Sequence, residues 1–132
     1  MTGLRVLIGV ASLACLPAPA QELSGKTLFL KNCSACHQVD GKGIPGAFPA
    51  LAGDPFVQGK SSDVVSLLLT GRNGMPNFSK QLTDRDVATV LGYVRHAWGN
   101  RGADVAPEEV AALRAELHAV AFDPTRQQDQ RH

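Results

Sequence analysis

The stretch Cys33-Ser34-Ala35-Cys36-His37 decides how the rest of this chain folds. Two thiols three positions apart can each add across one vinyl group of a haem, which gives two thioether bonds. The histidine that follows is then held beside the iron. A Cys-x-x-Cys-His run is the attachment signature of c-type haem. The stretch therefore predicts one covalently bound haem c, with Cys33 and Cys36 joined to the macrocycle and His37 as an iron ligand.

The first 20 residues have the features of a signal peptide. Arg5 supplies a short positive region, residues 6–16 form an apolar stretch, and Ala18-Pro19-Ala20 is a small-residue cleavage site. The apolar stretch is shorter than the roughly 20 residues that span a bilayer. We therefore predict an exported, periplasmic protein without a permanent membrane span. A retained N-terminal anchor and a lipid attached at Cys15 remain alternatives.

The charge balance argues against a nucleic-acid partner. The 132 residues fit one domain and carry 13 Lys+Arg against 12 Asp+Glu. Proteins that bind nucleic acid carry strong positive patches, and none is evident in this sequence. All five lysines lie in the half that carries the motif: Lys26, Lys31, Lys42, Lys60 and Lys80. They are either ordinary solubilising charge or a positive surface that steers an acidic redox partner.

Apolar periodicity and capping residues predict an all-α chain. Ser24 should cap a first helix that ends at the motif, and residues 38–60 should form a long glycine-rich loop. Ser61 or Ser62 should cap a second helix that stops at Gly71. Residues 71–82 form a second loop, and a third helix should run from Thr83 to Trp98.

Four segments follow from this organisation. They are a signal peptide (residues 1–20), a main domain (21–100), a C-terminal helical extension (101–122) and a disordered tail (123–132). The extension begins at Pro107 and carries an apolar stripe of Val110, Leu113, Leu117 and Val120. Packing within the molecule is the simplest use of that stripe. So few helices and such glycine-rich loops need a large apolar body to pack around, and a haem would provide it.

The chain resembles class I cytochromes c over about residues 24–98. The resemblance rests on the Cys-x-x-Cys-His run, the Pro49-x-Leu51 segment and the Gly74-Met75-Pro76 loop, together with Gly25, Phe29 and Tyr93. It implies a cytochrome c fold, with short helices and loops around one haem and an extra C-terminal helix.

The resemblance also implies roles for particular residues. Pro49 and Leu51 would pack beside the proximal His37, with the proline carbonyl accepting the other imidazole N–H. Met75 would be the second iron ligand. Gly25 and Phe29 would cross Val90 and Tyr93 on a later helix.

Met75 has competitors for the second coordination position. A methionine is more often core filler than a ligand, but a Gly-Met-Pro loop would support a core residue poorly. His96, expected within a helix, and His118, expected to face solvent, are alternative ligands. His132 lies in the tail and is given no role.

Two strong axial ligands would leave no open position on the iron. The resulting prediction is a non-enzymatic carrier of single electrons. A weaker subfamily resemblance, over residues 93–100 and the following Pro-Glu-Glu-Val, is to periplasmic cytochromes that serve alcohol or aldehyde dehydrogenases. It suggests a periplasmic dehydrogenase as electron donor. An oxidase or another cytochrome would then be the acceptor. Alternatives are a subunit of a dehydrogenase complex, a haem sensor in which Met75 is displaced, and a thiol–disulfide or metal-binding protein without haem.

Overall fold

The structure, a computed structural model, describes residues 22–121, with side chains described up to residue 118. Its regular elements are α1 (Gly25–Asn32), α2 (Ser34–His37), α3 (Pro55–Gln58), α4 (Ser61–Thr70), α5 (Asp84–Val94), a 3-10 turn (Ala97–Gly99) and α6 (Pro107–Ala121). Strand-like pairing in this range is limited to two isolated bridges, Ile44 with Phe48 and Arg72 with Met75. The predicted all-α fold is confirmed.

Three predictions fall outside the described residues. They are the signal peptide with Cys15, the disordered tail and the absence of a role for His132. Between residues 22 and 121, no helix combines the length and the apolar character that crossing a membrane requires.

A close crossing of α1 and α5 forms the centre of the fold. A Cβ atom added to Gly25 would lie 2.5 Å from the carbonyl oxygen of Thr89 and 2.6 Å from the Cβ of Tyr93. One turn later, the fully buried Phe29 lies with its ring centroid 5.6 Å from that of Tyr93. Val90 is also buried beside them. The predicted crossing is therefore confirmed, and Thr89 joins the predicted contact residues.

The predicted loop over residues 38–60 contains a short helix, α3, that the sequence prediction missed. The Asp54 carboxylate accepts a hydrogen bond of 3.0 Å from the backbone N–H of Val57. Pro55 occupies the first helical position, where a missing N–H costs nothing. Four residues are too few to show a helical period, so only this cap could have revealed the helix.

The predicted cap of α4 is wrong. The residue at the N-cap is Lys60, whose side chain makes no capping hydrogen bond. Ser61 is the first helical residue, and its hydroxyl donates instead to Glu109 on α6, at 2.6 Å. Ser61 therefore links α4 to α6 and does not cap α4.

The helix predicted to reach Trp98 ends at Val94. Trp98 lies in the left-handed region, at φ 53, a conformation that costs about 1–3 kcal/mol. Its ring centroid is 5.1 Å from that of Phe29, and the ring also covers Gly41, where a Cβ would lie 2.5 Å from it. Aromatic packing at the α1–α5 crossing offsets the cost of this backbone conformation.

Arg95, directly after α5, bonds to three carbonyls in two other segments of the chain. The residue is 1% exposed. Its guanidinium donates to the carbonyl oxygens of Val57 at 2.5 Å, Gly59 at 3.0 Å and Ala103 at 2.7 Å. These bonds tie α3 and the segment leading to α6 to the end of α5.

The C-terminal helix α6 packs within the molecule, as the simplest prediction for its stripe required. Val110 is completely buried, and Leu113 and Leu117 pack against the core formed with α4 and α5. Val120, the last residue of the predicted stripe, lies beyond the described side chains.

We expect Gly25→Ala to destabilise the haem-loaded protein. The new methyl group would collide with backbone and Cβ atoms of α5, which cannot rotate away. Overpacking of this kind should lower the free energy of unfolding by about 1–3 kcal/mol, as measured by urea denaturation.

Gly92→Ala is the matched control, since it makes the same change within α5. No atom lies within 4 Å of a Cβ placed at Gly92. Alanine should therefore stabilise this helix by about 0.5–1 kcal/mol. Equal free energies of unfolding for the two variants would contradict the close crossing.

Candidate haem site

The Cys-x-x-Cys-His stretch lies where α1 gives way to α2. Cys33 ends α1, and its backbone N–H bonds to the carbonyl of Phe29. The carbonyl of Cys33 then accepts the N–H groups of Cys36 at 3.2 Å and His37 at 3.0 Å. Prediction placed these residues at the end of one helix. The structure divides that helix at Cys33 and holds Cys36 and His37 in a separate turn.

The His37 imidazole has a fixed orientation. It is 8% exposed, and its Nδ1 lies 2.9 Å from the carbonyl oxygen of Pro49. Because a carbonyl can only accept, Nδ1 carries the proton and Nε2 keeps a lone pair for a metal. This contact is the one expected from the resemblance at Pro49.

Backbone hydrogen bonds hold the loop after His37 against the helices. The N–H groups of Leu51 and Ala52 both bond to the Gly41 carbonyl, at 2.7 and 3.0 Å. The Asn100 amide donates to the carbonyl of Leu51 at 3.0 Å and accepts from the N–H of Gly53 at 2.8 Å. The residue following the 3-10 turn therefore holds the Pro49–Leu51 segment in place.

Met75 lies in a tight reversal of the chain. Its N–H bonds to the Arg72 carbonyl at 2.9 Å, and its own carbonyl accepts the Arg72 N–H at 3.2 Å. Gly71, at φ 71, allows the approach, because a Cβ there would lie 2.6 Å from the Met75 carbonyl oxygen. Farther along, the buried Phe78 donates its N–H to the carbonyl of Leu68 on α4.

Two adjoining cavities, of about 320 and 150 Å³, form one cleft, and His37 and Met75 both line each of them. Both are lined by Cys33, His37, Pro49, Leu67, Arg72 and Met75. Cys36 lines the larger cavity, and Leu51 lines the smaller one together with side chains of α4 and α5. All six residues predicted for the site therefore lie around one cleft.

The chemistry of the lining fits a covalently attached haem. Cys33 and Cys36 are not joined in a disulfide. Burial, followed by the proximity of Cys36, raises the pKa of the Cys33 thiol to about 11, so this group is neutral near pH 7. The cleft thus offers two sulfur atoms, an imidazole lone pair and a thioether within mostly apolar walls.

Sequence reasoning missed Arg72. Its guanidinium lies 5.8 Å from the centroid of the Phe56 ring. Among the described residues that line the two cavities, it is the one that carries a permanent positive charge. The signal that could have revealed it is its position, three residues before Met75 in a Gly-Arg-Asn-Gly-Met run.

The competing histidines lie elsewhere. His96 is exposed beyond the end of α5, where its Nδ1 contacts the Gly92 carbonyl at 2.8 Å and Asp104 at 3.6 Å. His118 is exposed on α6, as predicted. Neither lines the two cavities.

Comparison with known sequences identifies the family. The family described as cytochrome c oxidase, cbb3-type, subunit III, matches residues 20–94, more than half of the chain. The chain belongs to this family of c-type cytochromes. Membership implies that the cytochrome carries covalently bound haem c with its iron, as the Cys-x-x-Cys-His stretch predicted.

Several relatives are subunits of dehydrogenases. The cytochrome is 33% identical over 116 residues to the cytochrome c subunit of a quinone-type alcohol dehydrogenase from Gluconobacter oxydans; the match covers 76% of this chain and 24% of that protein. It is 30% identical over 105 residues to the cytochrome c subunit of a gluconate 2-dehydrogenase from Pantoea cypripedii. That match covers 69% of this chain and 24% of that protein. The chain thus spans about a quarter of these relatives.

A smaller relative is covered more fully. Cytochrome c-552 from Thermus thermophilus is 35% identical over 103 residues, which represent 63% of this chain and 79% of that protein. These comparisons make the protein a monohaem-type cytochrome c related to the electron-transfer subunits of dehydrogenases.

We expect Gly71→Ala to loosen the Met75 reversal. Gly71 lies at φ 71 and ψ 169, a region essentially restricted to glycine, so alanine there costs about 1–3 kcal/mol. Collision with the Met75 carbonyl should add about 1–3 kcal/mol. Urea denaturation of the haem-loaded protein measures the total loss.

Gly74→Ala isolates the collision from the backbone cost. Gly74 also has positive φ, 86, but no atom lies within 4 Å of its Cβ position. The Gly74→Ala variant should therefore lose only the part of the free energy of unfolding that comes from the strained backbone. If Gly74→Ala were as damaging as Gly71→Ala, the close contact at Met75 would be wrong.

Proposed function

We propose that this cytochrome carries single electrons with its haem iron held between His37 and Met75. In this proposal Cys33 and Cys36 form the thioether bonds, and Pro49 and Leu51 flank the proximal histidine. The protein is exported to the periplasm, performs no bond chemistry on a substrate and is therefore not an enzyme by itself.

One observation carries the proposal: His37 and Met75 both line the same two adjoining cavities. The Nδ1–H bond to Pro49 leaves Nε2 as the available donor on one side. On the other side the Arg72–Met75 backbone pair holds the thioether in a short reversal.

The ligand set suits electron transfer rather than catalysis. When bound, haem supplies a reversible one-electron couple. His37 and Met75 would both hold the iron, which would leave no position on it for oxygen or a substrate. A methionine ligand and apolar walls raise the reduction potential. Valines and leucines of α4 and α5 line the smaller cavity and would shield that side of the haem from water.

The kinship with dehydrogenase cytochromes supports a dehydrogenase as electron donor. The acceptor would be an oxidase or another cytochrome of the respiratory chain. The same kinship favours a second form of this role, in which the chain is the cytochrome part of a dehydrogenase complex. Co-purification with a dehydrogenase would distinguish the subunit from the free carrier.

Met75→His should lower the midpoint potential of the haem by several times about 59 mV. Each step of about 59 mV is a tenfold shift in a one-electron equilibrium. Imidazole is the harder donor and favours the ferric state. Spectroelectrochemical titration measures the change. The wild-type ferric protein should also show the weak far-red absorption of an iron–thioether bond, and the variant should lack it.

His96→Ala and His118→Ala are the controls, because both histidines are competing ligands in sequence. Each should keep the wild-type spectrum and midpoint. An unchanged midpoint in Met75→His, or a wild-type ferric protein without the far-red band, would exclude Met75 as the ligand.

Arg72 would pair with a carboxylate side chain of the haem. Arg72→Gln should lower the midpoint, because a cation near the iron disfavours the ferric state. Arg72 is exposed, and exposed ion pairs are worth about 0.2–1 kcal/mol, so the expected decrease is about 10–40 mV. Potentiometric titration measures it.

Arg72→Lys keeps the charge and should keep most of the potential. Arg85→Gln removes an exposed arginine that pairs with Glu22 and does not line either cavity. A decrease in Arg85→Gln equal to that in Arg72→Gln would show that overall charge, not a specific pair, sets the effect.

A further inference from the structure

Arg114 on α6 reaches out of its helix to the segment that follows Met75. Its side chain is only 21% exposed. The guanidinium donates to the Asp84 carboxylate at 2.7 Å, to the Leu82 carbonyl at 3.0 Å and to the Ser79 carbonyl at close range. The three acceptors follow Met75 along the chain, and the last of them, Asp84, is the first residue of α5.

Nearer to Met75, the N–H of the buried Phe78 bonds to the Leu68 carbonyl of α4; beyond Phe78, the segment is held mainly by its own residues. The N–H groups of Gln81 and Leu82 bond to the Phe78 carbonyl, and Ser79 bonds to the Asn77 side chain. Among the described hydrogen bonds, those from Arg114 join residues 79–82 to another element. Such charge-assisted bonds are roughly twice as strong as neutral ones.

The base from which Arg114 acts is rigid. Val110, one turn earlier on α6, is completely buried, and Leu113 and Leu117 pack against the core. Glu109 is tied to Ser61 of α4. The guanidinium is therefore held by a helix that cannot shift without opening the core.

We propose that Arg114 is a positioning residue that keeps the Met75 segment closed over the haem cleft. This inference rests on the proposed His37/Met75 ligation. An iron–thioether bond is kept only while the chain holds sulfur at the metal, and an external ligand can bind whenever the segment opens. By tying the far end of the segment to α6, Arg114 lowers the population of the open form.

The test measures how fast imidazole binds to the ferric holoprotein at imidazole concentrations where the rate rises in proportion to concentration, so that the rate reports the population of the open form. Arg114→Met keeps the aliphatic stem and removes all three hydrogen bonds. We expect binding to be about tenfold faster, a change of about 1.4 kcal/mol in the opening equilibrium. The far-red absorption should also be lost at a lower pH or temperature than in the wild type.

Ser61→Ala is the matched control, because it frees α6 from α4 at a point away from the Met75 segment. It should bind imidazole within about twofold of the wild-type rate. Asp84→Asn, which keeps the two carbonyl bonds of Arg114, should give an intermediate rate and serves if Arg114→Met does not fold.

The outcomes separate this inference from the function on which it rests. Wild-type rates in both Arg114→Met and Asp84→Asn, with the far-red band intact, would overturn the role of Arg114 alone. Equal acceleration in Ser61→Ala would overturn it as well, because loosening α6 anywhere would then suffice. A wild-type protein without the far-red band would instead overturn the methionine ligation itself.

Discussion

The approach of α1 to α5 at Gly25 is the constraint on which the rest of the structure depends. Any side chain larger than hydrogen would push the helices apart. The crossing sets the direction of α1, and α1 delivers Cys33 and the turn that contains His37. On the opposite helix, Val90, Leu91 and Val94 then form one wall of the haem cleft. A single missing methyl group thus determines where the cofactor can be attached.

Around this crossing, the loops are held mainly by hydrogen bonds to backbone carbonyls. His37 is oriented by Pro49, the Pro49–Leu51 segment by Asn100 and Gly41, and two further segments by Arg95. Such a scheme suits a protein with little regular structure, because every buried carbonyl in an irregular segment needs a donor. Long polar side chains supply donors where neighbouring strands would do so in a sheet.

The residues with strong chemistry were the easiest to predict from sequence. The Cys-x-x-Cys-His run pointed to the two thiols and His37, and the resemblance to class I cytochromes c pointed to Pro49, Leu51 and Met75. All six line the one cleft. The long-range polar contacts were not predictable in this way. Ser61 reads as a cap but bonds to Glu109 on a helix far along the chain, and the short α3 has no period to detect. The contacts of Arg72 and Arg114 likewise depend on which distant segments pack together, so only the folded structure reveals them.

Trp98 has a consequence beyond packing. It is the single tryptophan of the chain, and its ring stands edge-on to both Phe29 and Tyr93 at the α1–α5 crossing. The only indole emission therefore originates at the contact that organises the fold. The molecule contains its own fluorescent reporter, which records whether the two helices are together without any added label.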